Sequence, residues 1–322
     1  MSDSVPRMPT SAAVARVSLV RPSLSNAPHI AGSRSARPAK ARVSVPATRE
    51  ASPFIKWVGG KGKLLAQLLP LLPPGAELMR HVEPFAGGAA MFFARRPSRA
   101  MLCDVNPALV DTYLAVRDEV GEVIAALEPL AQKHEAANGT YYEVRERYNA
   151  RRGLTRAQRA AMFVYLNKTC FNGLHRVNRK GEFNVPEGRY KNPRILDHDT
   201  LRAASAALQG CEIVNQGFEQ LLGTAKPGDF VYLDPPYEPV SRTSNFTSYA
   251  EEGFAQRDQE RLRDVYAELD RRGCKLMLSN SDVPFIRGLY AKWRIDLVAA
   301  PRAVSCDARG RGLVSEVVVR NY

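Results

Sequence analysis

Apolar positions along this chain follow two spacings that alternate. Short apolar runs bounded by glycine, proline or a carboxylate read as buried strands at 81–83, 100–103, 211–215, 230–233, 274–278, 293–299 and 313–319. Between them, apolar residues recur every three or four positions, which predicts a helical run at 64–72 and helices near 107–118, 120–136, 140–150, 155–167 and 256–272. Alternating strands and helices predict an α/β fold, a mostly parallel twisted sheet covered on both faces. The last two strands, joined by a glycine-rich connection at 305–312, read as a hairpin that adds antiparallel order at one edge. Strand 274–278 is expected to end before Ser279-Asn280-Ser281-Asp282, and a polar loop is expected at 238–252.

Two stretches fit neither spacing. Residues 1–50 are rich in Ser, Ala, Pro and Arg, which reads as a disordered basic tail. An Arg- and Ser-rich start also resembles an organelle transit peptide, but its scattered prolines interrupt the amphipathic helix such a signal needs. The second stretch, LNKTCFNGLHRVNRKGEFNVPEGRYKNP at 166–193, is too long to be an idle connection inside a folded chain. It interleaves Phe171, Phe183 and Tyr190 with Lys168, Arg176, Arg179, Lys180, Arg189 and Lys191. Such a mixture suits a surface that wedges or stacks on bases while gripping phosphates.

Charge sharpens this picture. The formal net charge is +13 over 322 residues, and it is unevenly spread. Residues 1–50 carry a net +6 and residues 141–200 a net +7, so the rest of the chain is neutral. A basic block inside the folded part points to a polyanion partner. The five cysteines never fall in a C-x-x-C pair, and the five histidines form no ligand-spaced group, which predicts no disulfide framework and no metal. Cysteine usage suits a reducing compartment, and no apolar run is long enough to span a membrane.

The chemistry centres on Asp234-Pro235-Pro236-Tyr237, where the 230–233 strand runs into a carboxylate. The two prolines forbid further ladder pairing and an immediate helix, so acid, carbonyl and aromatic ring are held together at the strand's end. In open α/β sheets that edge binds ligands, although a lone motif of this kind also serves as an ordinary strand exit. Upstream, Trp57-Val58-Gly59-Gly60-Lys61 forms a glycine turn before a helical run. His81-Val82-Glu83-Pro84-Phe85-Ala86-Gly87-Gly88 has the shape of a nucleotide-binding strand-to-helix turn without the full G-x-G-x-x-G. Asp104 ends the second strand, where an acid either holds ribose hydroxyls or caps the helix that begins near Asn106-Pro107.

Taken in order, FIKWVGGK (54–61), VEPFAGGAA (82–90), Asp104 in DVN, LNKTCFNGLHRVNRKGEFNVPEGRY (166–190), DPPY (234–237) and SNSD (279–282) resemble the Dam-type DNA adenine-N6 methyltransferases. The resemblance runs from Phe54 to about Val319. It implies a Rossmann-like catalytic domain in two parts, 51–106 for the cofactor and 209–322 for catalysis. A mainly helical DNA-recognition domain at 107–208 would be inserted between them. The implied reaction moves a methyl group from S-adenosylmethionine to the exocyclic N6 of adenine in duplex DNA. The implied target is GATC, reached by base flipping, with direct in-line attack and no metal. A monomer in the cytoplasm of a bacterial cell or phage-infected host is the implied setting.

Carried over by position, the resemblance assigns catalysis to Asp234, Pro235, Pro236 and Tyr237. It assigns the cofactor to Trp57, Lys61, Pro84, Phe85, Gly87, Asp104, Phe218 and Asp234, with Phe218 flanking the adenine ring. It assigns DNA contacts to Lys56, Phe171, Asn172, Leu174, Arg176, Pro186, Arg189, Tyr190 and Lys191, with Arg176 reading guanine. Three rival readings use parts of the same pattern: a cytosine-N4 methyltransferase, a protein-glutamine methyltransferase, and a catalytically silent DNA-binding regulator. The first more often carries Ser at position 234, the second has no use for the basic block, and the third has no need of Asp104 or Asp234.

Overall fold

The computed structural model describes residues 50–136, 140–239, 254–301 and 313–322. The expected basic tail up to residue 49, most of the expected 238–252 loop and the 305–312 connection lie outside the described residues. Among the described residues, seven strands form one sheet: β1 (His81–Glu83), β2 (Ala100–Asp104), β3 (Cys211–Asn215), β4 (Phe230–Leu233), β5 (Lys275–Ser281), β6 (Arg294–Pro301) and β7 (Leu313–Arg320). Their order across the sheet is β3-β2-β1-β4-β5-β7-β6. The first five run parallel, and β7 lies antiparallel between β5 and β6. The closing hairpin therefore adds antiparallel order at one edge, as its sequence predicts, with the return strand placed inside and β6 outermost.

Helices occupy the intervals: α1 (Leu65–Leu68), α2 (Ala90–Arg95), α3 (Pro107–Asp118), α4 (Val120–Ala136), α5 (Thr140–Ala150), α6 (Arg156–Thr169), α7 (His198–Leu208), α8 (Leu221–Thr224), α9 (Gln256–Arg271) and α10 (Pro284–Leu289). Helix α3 begins where Asn106 Oδ1 accepts from the backbone N–H groups of Ala108 and Leu109, with Pro107 pre-set for the first turn. Thr155 and Gln158 cap α6 reciprocally, and Asp197 caps α7. Two sequence expectations need correction here. The 64–72 run is one turn of α-helix flanked by 3₁₀ turns, because Pro70 brings no N–H to continue the ladder. Strand β5 continues through Ser279, Asn280 and Ser281, because β7 pairs with it there and buried partners take up its polar side chains.

Strand β4 shows why the sheet is sandwiched. Val231 and Leu233 pack with Leu262 and Leu276 on one face, and Phe230 and Tyr232 pack with Met277 and Val318 on the other. Burying each such side chain contributes roughly 1.5–3 kcal/mol. The helices α3 to α7 all fall between β2 and β3, and Tyr113, Val116, Leu127, Tyr141, Tyr165 and Leu166 bind them into a core shared with Phe54, with Phe92 and Phe93 of α2, and with Ala100 and Leu102 of β2. The chain steps outward from β1 to β2 and β3, then returns to place β4 on the other side of β1. This reversal opens a crevice at the carboxyl ends of β1 and β4.

Candidate active site

The crevice gathers the residues that end the central strands. Pro84, Phe85 and Gly87 follow β1, Asp104 closes β2, Phe218 lies just beyond β3, and Asp234 to Tyr237 follow β4. Lys61, only 5% exposed, brings its ammonium to 2.7 Å from Asp234 Oδ1 and donates to the Gly59 carbonyl at 2.6 Å. Apart from that ammonium, Asp234 Oδ1 is a buried carboxylate oxygen with no hydrogen-bond donor among the described residues. Burial raises the Asp234 pKa above the usual carboxylate range, and Lys61 works in the opposite direction.

The Asp234-Pro235-Pro236-Tyr237 turn is pinned from below. Gln259, fully buried on α9, donates to the Pro236 carbonyl at 2.9 Å and accepts from Asn280 Nδ2 at 3.0 Å. Asn280 Oδ1 accepts from the Glu238 N–H, Ser281 Oγ donates to the Glu238 carbonyl, and Tyr232 bonds Ser279. The SNSD segment thus acquires a physical role: its polar side chains on β5 hold the turn that follows β4. Tyr237 donates its hydroxyl to Glu316 Oε2 at 2.8 Å and carries the Lys61 ammonium 4.6 Å from its ring centroid. That cation and that hydrogen bond fix the ring beside the carboxylate.

On the neighbouring side, Asp104 Oδ2 accepts from the Gly87 N–H at 3.0 Å and Oδ1 from the Asn106 N–H at 2.9 Å. Asn106, not Asp104, is the helix cap, so the acid braces the glycine turn instead. Gly87 sits at φ +46°, and a Cβ there would stand 2.6 Å from Trp57 Cδ1. Only glycine meets both demands. Phe218 does not stand open to a ligand. It is buried, stacked on Phe85 with centroids 5.7 Å apart, and both rings touch Phe254.

Behind the crevice lies a network that reasoning from sequence missed. Glu83 Oε2 accepts from the Phe92 N–H and pairs with His81 Nε2 at 2.9 Å, while His81 Nδ1 meets Arg95 Nη1 at 2.6 Å. Burial holds His81 well below its usual pKa and Glu83 well above, with the Asp234 charge adding to the second shift. A neutral His81 that accepts from Arg95 must donate to Glu83. Glu83 stands in the VEPF segment, but three ionisable groups on a three-residue strand and a short helix leave no periodic trace.

The 166–193 stretch folds against the helices and reaches the same crevice. Asn167, 3% exposed, takes the Lys56 N–H on Oδ1 and gives Nδ2 to the Lys56 carbonyl, both at 2.7 Å. Lys56 extends from there over the Tyr190 ring, 3.8 Å from its centroid. Phe171, Asn172, Pro186, Arg189, Tyr190 and Lys191 are exposed, Leu174 is half-buried, and Phe171 donates its N–H to the Pro186 carbonyl. Asn172 takes the left-handed conformation at φ +54°, which turns the chain sharply beside Phe171. Arg176 donates Nε to Asn184 Oδ1 at 2.7 Å and Nη2 to the Asn184 carbonyl at 3.1 Å, which aims its guanidinium plane. Phe183, expected among the surface aromatics, is instead core: it packs on Tyr148 and His175 because Asn149 ties down its backbone on both sides.

Among the described residues, no group of three or more His, Cys, Asp or Glu is placed to hold a metal ion. No described helix is long and apolar enough to cross a membrane. Sheet order, switch-point crevice and acid-Pro-Pro-Tyr turn together define a Rossmann-like fold with a carboxylate at its ligand-binding edge. The model of the D12 class N6 adenine-specific DNA methyltransferases matches residues 57–304, and the chain belongs to that family. Type II methyltransferase M1.LlaDCHI of Lactococcus lactis subsp. cremoris is 40% identical over 277 residues, covering 84% of this chain and 95% of that protein. Type II methyltransferase M.MjaIII of Methanocaldococcus jannaschii is 40% identical over 289 residues, 85% of this chain and 100% of that one. The DNA adenine methylase of Escherichia coli K12 is 34% identical over 265 residues, 82% of this chain and 93% of that one. Its reaction is thus methylation of adenine N6 in DNA, and its family takes the methyl group from S-adenosylmethionine.

Proposed function

We propose that the chain methylates adenine within duplex GATC, acting on a base swung out of the helix, by direct in-line attack of N6. The observation that carries this reading is the carboxylate of Asp234. It is a buried acceptor at the switch point, held next to Pro235 and beside the ring of Tyr237. The N6 lone pair of adenine is delocalised into the ring, so the amine is a poor nucleophile. Accepting its two N–H bonds on Asp234 and on the Pro235 carbonyl favours a more tetrahedral nitrogen with a localised lone pair. Pro236 keeps the turn rigid, and the Tyr237 ring offers a stacking face to the extruded base. The attack is then a matter of position and charge, with no covalent enzyme intermediate.

The residues present fit S-adenosylmethionine. Gly87, where a Cβ would clash with the indole, lets Trp57 close onto the turn, Asp104 offers remaining lone pairs to ribose hydroxyls, and Pro84 and Phe85 follow β1 at the crevice. Phe218 acts through Phe85, and Lys61 holds the Asp234 carboxylate in place. Bound there, the cofactor supplies a methyl group on a sulfonium centre. Asp104→Ala is expected to weaken cofactor binding by about 1.5–3 kcal/mol, the range for a hydrogen bond to a charged group. Calorimetry reads this directly, and an unchanged affinity would leave Asp104 as a brace for the Gly87 turn alone.

The raised pKa of Asp234 gives a pH signature. Its acceptor form is the deprotonated one, so activity falls as pH drops through that pKa. Asp234 beside a sulfonium cation ionises more readily than Asp234 alone. The acid limb of kcat is therefore expected at lower pH than the acid limb of kcat/KM for S-adenosylmethionine. Coincident limbs would mean that the carboxylate does not lie near the sulfonium.

Helices α3 to α7 with the 166–193 stretch serve as the target-recognition domain, inserted between a cofactor part at 51–106 and a catalytic part at 209–322. Phe171 and Asn172 enter the base stack, Arg176 reads guanine, and Lys56, Leu174, Pro186, Arg189, Tyr190 and Lys191 supply further base and phosphate contacts. The net +7 of residues 141–200 supports this assignment. The enzyme works as a monomer in the cytoplasm, a setting supported by the bacterial origin of the Lactococcus and Escherichia relatives. The test is methyl transfer to a panel of duplexes that each differ from GATC at one pair. Transfer confined to GATC is expected; equal transfer to every member overturns the target.

A further inference from the structure

The recognition stretch touches the cofactor side at one residue that no role above uses. His175 precedes Arg176, and its imidazole stacks on the Trp57 indole with centroids 6.0 Å apart and planes 22° from parallel. Its Nδ1 lies 3.2 Å from Asn106 Nδ2. The Asn106 amide cannot turn away, because its Oδ1 caps α3 through Ala108 and Leu109. Asn106 in turn gives its backbone N–H to Asp104, whose other oxygen holds Gly87, and Trp57 lies against that same glycine. Two of the neighbours of His175, Trp57 and Asn106, therefore end on the Gly87 turn. Burial lowers the His175 pKa to about 4, so the ring is neutral near pH 7 and Nδ1 accepts the Asn106 proton.

We propose that His175 is a positioning residue that couples target recognition to cofactor binding, through its stack on Trp57 and its bond to Asn106. The inference rests on the recognition role given above to the 166–193 stretch. When Arg176 and its neighbours engage DNA, the adjoining His175 is held in the one place that keeps both Trp57 and Asn106 against the Gly87 turn. Cofactor and duplex then each raise the affinity of the other, and linkage requires the two factors to be equal. A ring that only fills space between Trp57, Phe163 and Phe183 would produce no such reciprocity.

The test uses the full chain and S-adenosylhomocysteine, which binds without reacting. Its dissociation constant is measured without DNA, with a GATC duplex, and with a duplex lacking GATC. The wild type is expected to bind it roughly 5- to 150-fold more tightly with GATC duplex than without, the usual span of such coupling. His175→Ala is expected to bring that ratio close to one. His175→Phe keeps a ring on Trp57 but gives Asn106 no acceptor, and its ratio is expected to fall between the two. This second variant keeps the core filled should the alanine chain fail to fold. A wild-type ratio of one, or an unchanged ratio in either variant, overturns the coupling. Equal enhancement by both duplexes in the wild type overturns only the GATC reading, and the variants then decide the link on either duplex.

Discussion

Asp234→Ala is expected to lower methyl transfer by about 10²–10³, the usual cost of losing one preorganised polar contact to a reacting group. The fold should survive, because the carboxylate stabilises little on its own account. Burial already disfavours its charge, and Lys61 offsets only part of that cost. Removing the acid does leave the Lys61 ammonium buried, but its bond to the Gly59 carbonyl remains. Asp234→Asn should lie near the alanine variant in rate, since an amide cannot supply the negative charge. Single-turnover rates on saturating duplex separate this loss from any change in binding. Retention of more than half the wild-type rate would remove Asp234 from the reaction.

Arg176→Ala is expected to relax discrimination at the guanine position by about 1–3 kcal/mol, the worth of a bidentate arginine–guanine contact. Affinity for unrelated duplex should fall much less. The geometry adds a second arm, because Asn184 holds the guanidinium by both Nε and Nη2. Asn184→Ala keeps the reader but frees its plane, so it should lose part of the same discrimination. Lys191→Ala, which removes an exposed charge, should weaken binding about evenly across sequences. Comparing rates on GATC and AATC duplexes decides the matter. An equal proportional loss on both would mean that Arg176 grips a phosphate.

The strands and helices that carry the crevice were legible because their signals are local. Phe230 to Leu233 is an apolar run stopped by an acid and two prolines, and it folds as β4 with the acid at its end. Helices α3 to α6 lie close to where their apolar spacing predicts them, and α6 begins at its Thr155 cap, whereas that spacing does not single out α7 at His198–Leu208. What escaped depends on partners distant in sequence. Ser279 to Ser281 read as a strand exit until Glu238, Gln259 and β7 supply buried partners. Phe183 reads as a surface aromatic until Asn149 ties its backbone inward. Phe218 reads as a ligand-facing ring, yet Phe85 and Phe254 cover it. The Lys56–Asn167 clasp joins segments 111 residues apart, and neither residue announces the other.

Lys61 shows how position changes meaning. In sequence it follows a glycine turn, and the resemblance assigns it to the cofactor. In the fold it lies buried between a carboxylate and an aromatic ring, with its charge directed at Asp234. The glycine turn brings it there, since Gly59 at φ +76° and the Gly60-to-Trp57 bond curl the chain back over the crevice.

The most direct measurement is the identity of the modified atom. A GATC duplex is incubated with the enzyme and methyl-labelled S-adenosylmethionine, then digested to nucleosides and separated. All label is expected in N6-methyldeoxyadenosine, with none formed by the Asp234→Ala chain above its expected residual rate. Label in N4-methyldeoxycytidine, or in no nucleoside at all, would contradict the account.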